Sequence, residues 1–91
     1  MKWKLYAWLK RGKRRFAVLT VFAKESRPLT INDIRAQSKI AISQASLTVS
    51  ELLKQGLLTC KNPSDKIGRL FVISTEGKEL VNSLKGITNE S

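Results

Sequence analysis

Residues 43–75, SQASLTVSELLKQGLLTCKNPSDKIGRLFVIST, read as an amphipathic helix that stops at a glycine and runs directly into a two-stranded ribbon. Ala45, Val49 and Leu52 recur at i, i+4 and i+7, with Leu53 beside them, which predicts a helix over about 44–55 with one apolar face. Ser43 stands where an N-cap side chain would serve the first free N–H groups. Gly56 suits the left-handed position that closes a helix. Two strands follow, over 57–61 and 69–74. In the second, Leu70, Val72 and Ser74 alternate with Phe71 and Ile73, so one face packs on the helices. The residues between them, Asn62-Pro63-Ser64-Asp65-Lys66-Ile67-Gly68, carry turn chemistry.

Upstream, Phe16, Leu19, Phe22 and Ala23 recur at helical spacing over about 13–24, and Val18 and Val21 broaden the stripe. Ser26-Arg27-Pro28 ends that helix, because proline biases its predecessor away from helical angles. Thr30 reads as an N-cap, with Asp33 at the third helical position facing free N–H groups. This opens a short helix over 31–38 with Ile31 and Ile34 on its buried face. A tight turn over 39–42 leads back to Ser43. Downstream, Thr75 caps a last helix to about residue 85, with Leu80, Val81 and Leu84 facing inward. Residues 86–91 read as a flexible polar tail. At the other end, Leu5, Trp8 and Leu9 share a helical face, and Gly12 is a natural break. The division is a basic aromatic segment over 1–12, one domain over 13–85, and the tail.

Ninety-one residues make one domain. A chain of this size buries roughly 60–65% of its unfolded surface, enough for a single core. Lys plus Arg number 17 against 7 Asp plus Glu, a net charge of +10. That balance favours encounter with polyanions: nucleic acid first, an anionic membrane second. Cys60 is the only cysteine and there is no histidine. This excludes an internal disulfide, a metal site of the usual Cys/His kind and a His-activated nucleophile. On its predicted strand Cys60 reads as a small apolar side chain. With no phosphate-binding loop and few carboxylates, an enzyme is the weakest reading, and no cofactor is expected. The longest apolar run, Phe16-Ala17-Val18-Leu19, is far short of a membrane span, and no secretory signal is visible. The expectation is a soluble cytoplasmic protein without a membrane partner.

The order helix, helix, tight turn, helix, strand, wing, strand, helix is an α+β, mainly α arrangement. It is a winged helix-turn-helix, a three-helix core plus a β-hairpin wing, extended by an N-terminal segment and a C-terminal helix. Over about 14–81 the sequence resembles the small archaeal winged-helix transcriptional regulators, related in shape to the MarR and ArsR groups. The resemblance is carried by Leu29-Thr30, Ile34, Ile40, Ser43 through Ser46, Gly56-Leu57, Gly68-Arg69-Leu70-Phe71 and Ser74-Thr75-Glu76-Gly77-Lys78. It implies a double-stranded DNA-binding regulator whose helix over 44–55 lies in the major groove, with the wing on the backbone.

With Ala45, Val49 and Leu52 facing the core, the outward residues are Ser43, Gln44, Ser46, Leu47, Thr48 and Ser50. Gln44 can pair two-pronged with adenine, Ser46 can donate or accept at several base edges, and Leu47 can pack on a thymine methyl. The bland alternative is a solvated helix face, which leaves its Ser and Thr content, poor for helix propensity, without a purpose. Leu47 departs from the polar residue common in the family, and no Lys or Arg appears on this face before Lys54. Strong guanine readout is therefore not expected. Arg35 departs from the small residue usual in its helix and points to phosphate or to solvent. Lys39, Lys61, Lys66 and Arg69, with Arg27, stand where cations usually hold phosphates. Arg69 has a competing role as a salt bridge or cap near Asp65, and Lys61 and Lys66 as ordinary solubilising residues.

The first fifteen residues hold seven of the 17 basic residues, no acid, both tryptophans and the only tyrosine. Three readings compete: base stacking on single strands, a basic helix on an anionic membrane, or packing against the last helix or a second subunit. The resemblance favours the third. It implies a homodimer through Trp3, Leu5, Trp8 and Leu9 with Leu80 and Leu84, meeting half-sites about 34 Å apart. The rival class is a winged-helix protein-interaction module of a transcription or replication complex, with only non-specific DNA affinity. No residue identifies a small-molecule effector.

Overall fold

Seven elements follow one another along the chain: α1 (Trp3–Arg11), α2 (Lys13–Glu25), α3 (Ile31–Ser38), α4 (Ile42–Lys54), β1 (Leu58–Cys60), β2 (Phe71–Ile73) and α5 (Thr75–Thr88). The structure is a computed structural model and describes the backbone of residues 3–88 and the side chains of 3–84. The strands pair antiparallel, with Leu58 opposite Ile73, Thr59 opposite Val72 and Cys60 opposite Phe71. Leu29 adds a single bridge at the other edge of β2: its N–H donates to the Phe71 carbonyl oxygen and its carbonyl oxygen accepts from the Phe71 N–H, both at 2.9 Å. That bridge ties the segment before α3 to the wing.

The central element is α2, which packs against α1, α3, α4 and α5. Its Val18, Leu19 and Phe22 are buried, with Phe16, Val21 and Ala23 half-buried around them. Removing a ring such as that of Phe22 from this core costs about 3–5 kcal/mol by large-to-small precedent. Ile34, Ala45, Val49, Leu52, Leu57, Leu58 and Phe71 join them in one core, to which Leu9, Leu80, Val81 and Leu84 also belong.

Local chemistry explains the boundaries. Thr30 and Asp33 form a reciprocal capping box: Asp33 N–H donates to Thr30 Oγ1 at 3.2 Å, and Thr30 N–H donates to Asp33 Oδ2 at 3.0 Å. The Thr30 N–H, then the Thr30 hydroxyl and the charge of Arg27, hold the Asp33 carboxyl below its usual range against the opposing effect of burial. Lys39 closes α3 at φ 56°, leaving only Ile40 and Ala41 before the chain is helical again. Helix α4 therefore starts at Ile42 with Ala41 at its N-cap. Ser43 lies inside the first turn rather than capping it, and no side chain caps this end. At the other end, Gly56 at φ 75° completes a Schellman closure: its N–H donates to Leu53 O and that of Leu57 to Leu52 O, both at 3.0 Å.

Two further boundaries differ from the sequence expectation. Ser74, not Thr75, caps α5: its hydroxyl accepts from Gly77 N–H at 3.0 Å and donates to Gly56 O at 2.7 Å. One side chain thus caps α5 and binds the turn after α4. Helix α5 continues through Thr88, so residues 86–88 of the expected tail are helical, and the last residues lie outside those described.

Candidate nucleic-acid interface

The outward face of α4 carries Ser43, Ser46, Leu47, Ser50 and Lys54, all exposed, with Gln44 half-buried at its edge. Leu47 is 57% exposed and Ile42 52%, two apolar side chains turned to solvent on one helix. Thr48 is a correction. It is 1% exposed, and its hydroxyl donates back to the Gln44 carbonyl oxygen at 2.7 Å. At about 100° per residue Thr48 falls on the same side as Ala45, Val49 and Leu52, so its methyl fills the core and its hydroxyl is satisfied within the helix. The face offered to a groove is narrower than the sequence suggested.

Arg35 on α3 and Lys39 just after it are exposed. The wing exposes Lys61, Lys66 and Arg69, with Ile67 at 90% exposure between them. Arg69 Nε donates to the Asp65 backbone oxygen at 2.7 Å, so the expected link to Asp65 runs through the main chain rather than the carboxylate. Arg69 therefore pins the loop while remaining exposed. The wing is organised by a residue that the sequence reading treated only as turn chemistry. Asn62 Oδ1 accepts from Leu70 N–H at 2.7 Å and from Cys60 Sγ at 3.6 Å. Its Nδ2 donates to Asp65 Oδ2 at 2.9 Å and Gly68 O at 3.2 Å. An Asn before a proline at the mouth of a hairpin loop was the available signal.

Thr30, Ile42, Ser46, Ser50, Lys66 and Arg69 border a common groove between the start of α3, the α4 face and the wing. The acids on α3 and in the wing are engaged internally, Asp33 in its capping box and Asp65 with Asn62, and on the opposite flank of α4 Glu51 pairs with Arg15 at 3.5 Å. Arg15 is a second organiser that the sequence shows only as one of the N-terminal cations. It lies over the Trp8 ring and joins α1 and α2 to α4.

The expected dimer residues divide. Leu9, Leu80 and Leu84 are 0%, 7% and 1% exposed and are committed to the protomer's own core. The bend at Gly12 folds α1 back so that it packs chiefly on α2, which takes Leu9 inside. Trp3 is 71% exposed, edge-on to Tyr6 at 5.8 Å, while Leu5 and Trp8 are half-buried. Among the described residues no three His, Cys, Asp or Glu gather as metal ligands, and no helix is long and apolar enough to cross a membrane.

Five helices with a two-stranded antiparallel wing form the winged-helix fold of the MarR regulators. Solved structures of this shape include S. aureus MepR in complex with DNA, at 20% identity and TM-score 0.76, covering 98% of this chain and 77% of that one. A mutant of E. coli MarR complexed with operator DNA matches at 17% identity and TM-score 0.76, over 93% of this chain and 61% of that one. The oxidized form of E. coli MarR matches at 13% identity and TM-score 0.72, over 84% of this chain and 54% of that one. The chain thus spans about half of the MarR chain in that last match. No model of a known protein family and no curated protein matches the chain.

Proposed function

We propose that this chain is a sequence-specific double-stranded DNA-binding transcriptional regulator, cytoplasmic and not an enzyme. The α4 face sits in the major groove through Ser43, Gln44, Ser46, Leu47 and Ser50. Arg35, Lys39, Lys61, Lys66 and Arg69 hold the flanking backbone. The carrying observation is the pairing of the exposed Ser46 and Ser50 of α4 with Lys66 and Arg69 of the wing across one groove. MarR and MepR of the same fold have been solved on DNA, which supports the reading. The chain acts as a homodimer, using the exposed Trp3 with Leu5 and Trp8 of α1, so that two α4 faces meet half-sites about one helical turn apart. Base specificity comes from short polar and apolar contacts, and affinity from the cations around them.

The test selects bound duplexes from a random pool, then titrates salt against the selected site, random duplex and single strand. The reading expects a roughly palindromic site bound well above random, and a log–log slope that steepens by about 0.9 for each phosphate neutralised. A slope near zero overturns it. The exposure of Ile42 and Leu47 favours a second reading, a protein-interaction module. Under that reading, substituting Gln44, Ser46 and Leu47 leaves DNA binding unchanged. Under the first, it abolishes sequence preference.

A further inference from the structure

The exposed face of α4 has two flanks, and the wing covers only one. The other is the bend between α1 and α2, where Lys10-Arg11-Gly12-Lys13-Arg14-Arg15 sets five cations in six residues. Lys10, Arg11, Lys13 and Arg14 are exposed. Lys13 and Arg14 share a groove with Leu47, Thr48 and Glu51, on the side of α4 away from the wing.

We propose that Lys13 and Arg14, backed by Lys10 and Arg11, form a second phosphate-gripping surface. The surface takes the DNA backbone on the far side of the groove that α4 enters. This rests on the DNA-binding reading and extends it from one cationic flank to two, so that α4 is braced between them.

Three observations carry it. The first turn of α2 holds Lys13, Arg14 and Arg15 with no acid, and Gly12 gives no side-chain cap. Positive charge at the positive end of a helix is locally unfavourable, and a backbone phosphate relieves it. The acid bordering this groove, Glu51, is already paired with Arg15, so among the described residues no other carboxylate lines it beside Lys13 and Arg14. The bend is also fastened by Arg15. Arg15 Nη1 donates to Trp8 O at 3.0 Å, its guanidinium lies 4.2 Å from the Trp8 ring centre, and its stem passes where a Cβ on Gly12 would sit. A phosphate contact gains from such preorganisation. The alternative polyanion, a membrane surface, suits this site poorly: the cations border a recess against α4, and Leu9, next to them in α1, is buried.

The test compares two double variants of the full chain that lose the same charge, K13Q/R14Q and K24Q/K78Q. Lys24 and Lys78 are exposed at the far end of α2 and in the first turns of α5. On a random-sequence duplex, K13Q/R14Q lowers the salt slope by about 1.8, two phosphates' worth, and K24Q/K78Q by much less. The melting temperature of K13Q/R14Q stays level or rises, since repulsion at the α2 terminus is removed. Equal slope changes in the two variants overturn the proposal and leave the DNA-binding reading standing. No salt-dependent duplex binding by the parent chain overturns the DNA-binding reading itself. Loss of binding to phosphatidylserine vesicles with duplex binding intact assigns the surface to membrane and also overturns the proposal.

Discussion

The guanidinium of Arg15 lies 4.2 Å from the centre of the Trp8 ring and donates to the carbonyl oxygen of the same residue at 3.0 Å. Its Nε and Nη2 face the Glu51 carboxylate, each at 3.5 Å. One side chain thus fastens α1 and α2 to α4, and only a planar fork serves both partners. The Arg15 and Glu51 side chains are 26% and 34% exposed, so the ion pair is partly screened. Urea-unfolding double-mutant cycles are expected to give about 0.5–1 kcal/mol of coupling between Arg15 and Trp8. Coupling between Arg15 and Glu51 is at most about 1 kcal/mol and shrinks with salt. Arg15→Lys loses most of the first while keeping the charge. Zero coupling to Trp8 means that the ring adds nothing and that the guanidinium is held by Glu51 and the Trp8 carbonyl oxygen.

Asn62 spends its whole amide inside the wing, and only its Oδ1 reaches the Leu70 N–H, at 2.7 Å. Asn62→Asp retains that acceptor but loses both donors and sets a second carboxylate against Asp65. Asn62→Ala also leaves the Leu70 N–H without its partner. We expect about 1–2 kcal/mol of destabilisation for Asn62→Ala. Hydrogen exchange at the Leu70 amide rises, while amides of α2 are unaffected. Unchanged exchange at Leu70 would show that the pairing of Lys61 with Leu70 holds the loop without Asn62.

How much of this was legible in the sequence depends on where the determining partner lay. The periodicity of α2 and the Thr30-to-Asp33 cap of α3 are local, and the structure has both where the sequence places them. Gly56 as a helix closure was equally local. The caps of α4 and α5 differ from expectation by a residue or more: the left-handed turn at Lys39 brings α4 in at Ile42 with no capping hydroxyl, and at α5 a long-range contact selects between two adjacent hydroxyls. Ser74 prevails over Thr75 because Gly56 O, eighteen residues away, also takes its hydroxyl. Thr48 was placed outward because Ser and Thr on a helix look polar, whereas its angular position beside Val49 buries it. Arg15 and Asn62 were invisible as organisers, since Glu51 is thirty-six residues from Arg15 and the Leu70 N–H eight from Asn62.

Asp33 ties stability to acid. Its carboxyl is held below the ordinary value of 3.8, first by the Thr30 N–H and then by the Thr30 hydroxyl and Arg27. A depressed folded-state pKa means that the unfolded chain binds the proton more readily. The contribution is therefore complete above the unfolded value and is lost as pH falls through the folded one. Asp33→Asn should flatten the stability–pH curve below about pH 5 and change it little near neutrality beyond the capping loss. Thr30→Ala should cost about 1 kcal/mol and remove much of the same acid dependence. Parallel acid limbs for the parent chain and Asp33→Asn would show that other carboxylates govern acid unfolding.

Gly77 lies in the first turn of α5, where alanine would ordinarily favour the helix by about 1 kcal/mol. Here a Cβ would collide with the Leu57 carbonyl oxygen and lie 2.8 Å from Ile73 Cγ1. Backbone cannot yield as a flexible side chain does, so Gly77→Ala is expected to destabilise by about 1–3 kcal/mol. The shift should appear as a lower urea midpoint with an unchanged m-value. A stabilised Gly77→Ala would mean that α5 slides from the hairpin at little cost.

Leu47 separates the two functional readings most sharply, because it is 57% exposed in the middle of the α4 face. An apolar side chain there recognises a thymine methyl in the groove or an apolar partner protein. If it reads thymine, Leu47→Ala weakens the selected site by about 1–2 kcal/mol, within the usual range for one base pair. Random duplex, held by phosphate contacts, is barely affected. Replacing single thymines in the site by uracil removes only the methyl, and at one position the loss should match that of Leu47→Ala and not add to it. Additive losses at every thymine would show that Leu47 touches none of the methyl groups. Unchanged affinity of Leu47→Ala for both duplexes would move the face of α4 from DNA to a protein partner.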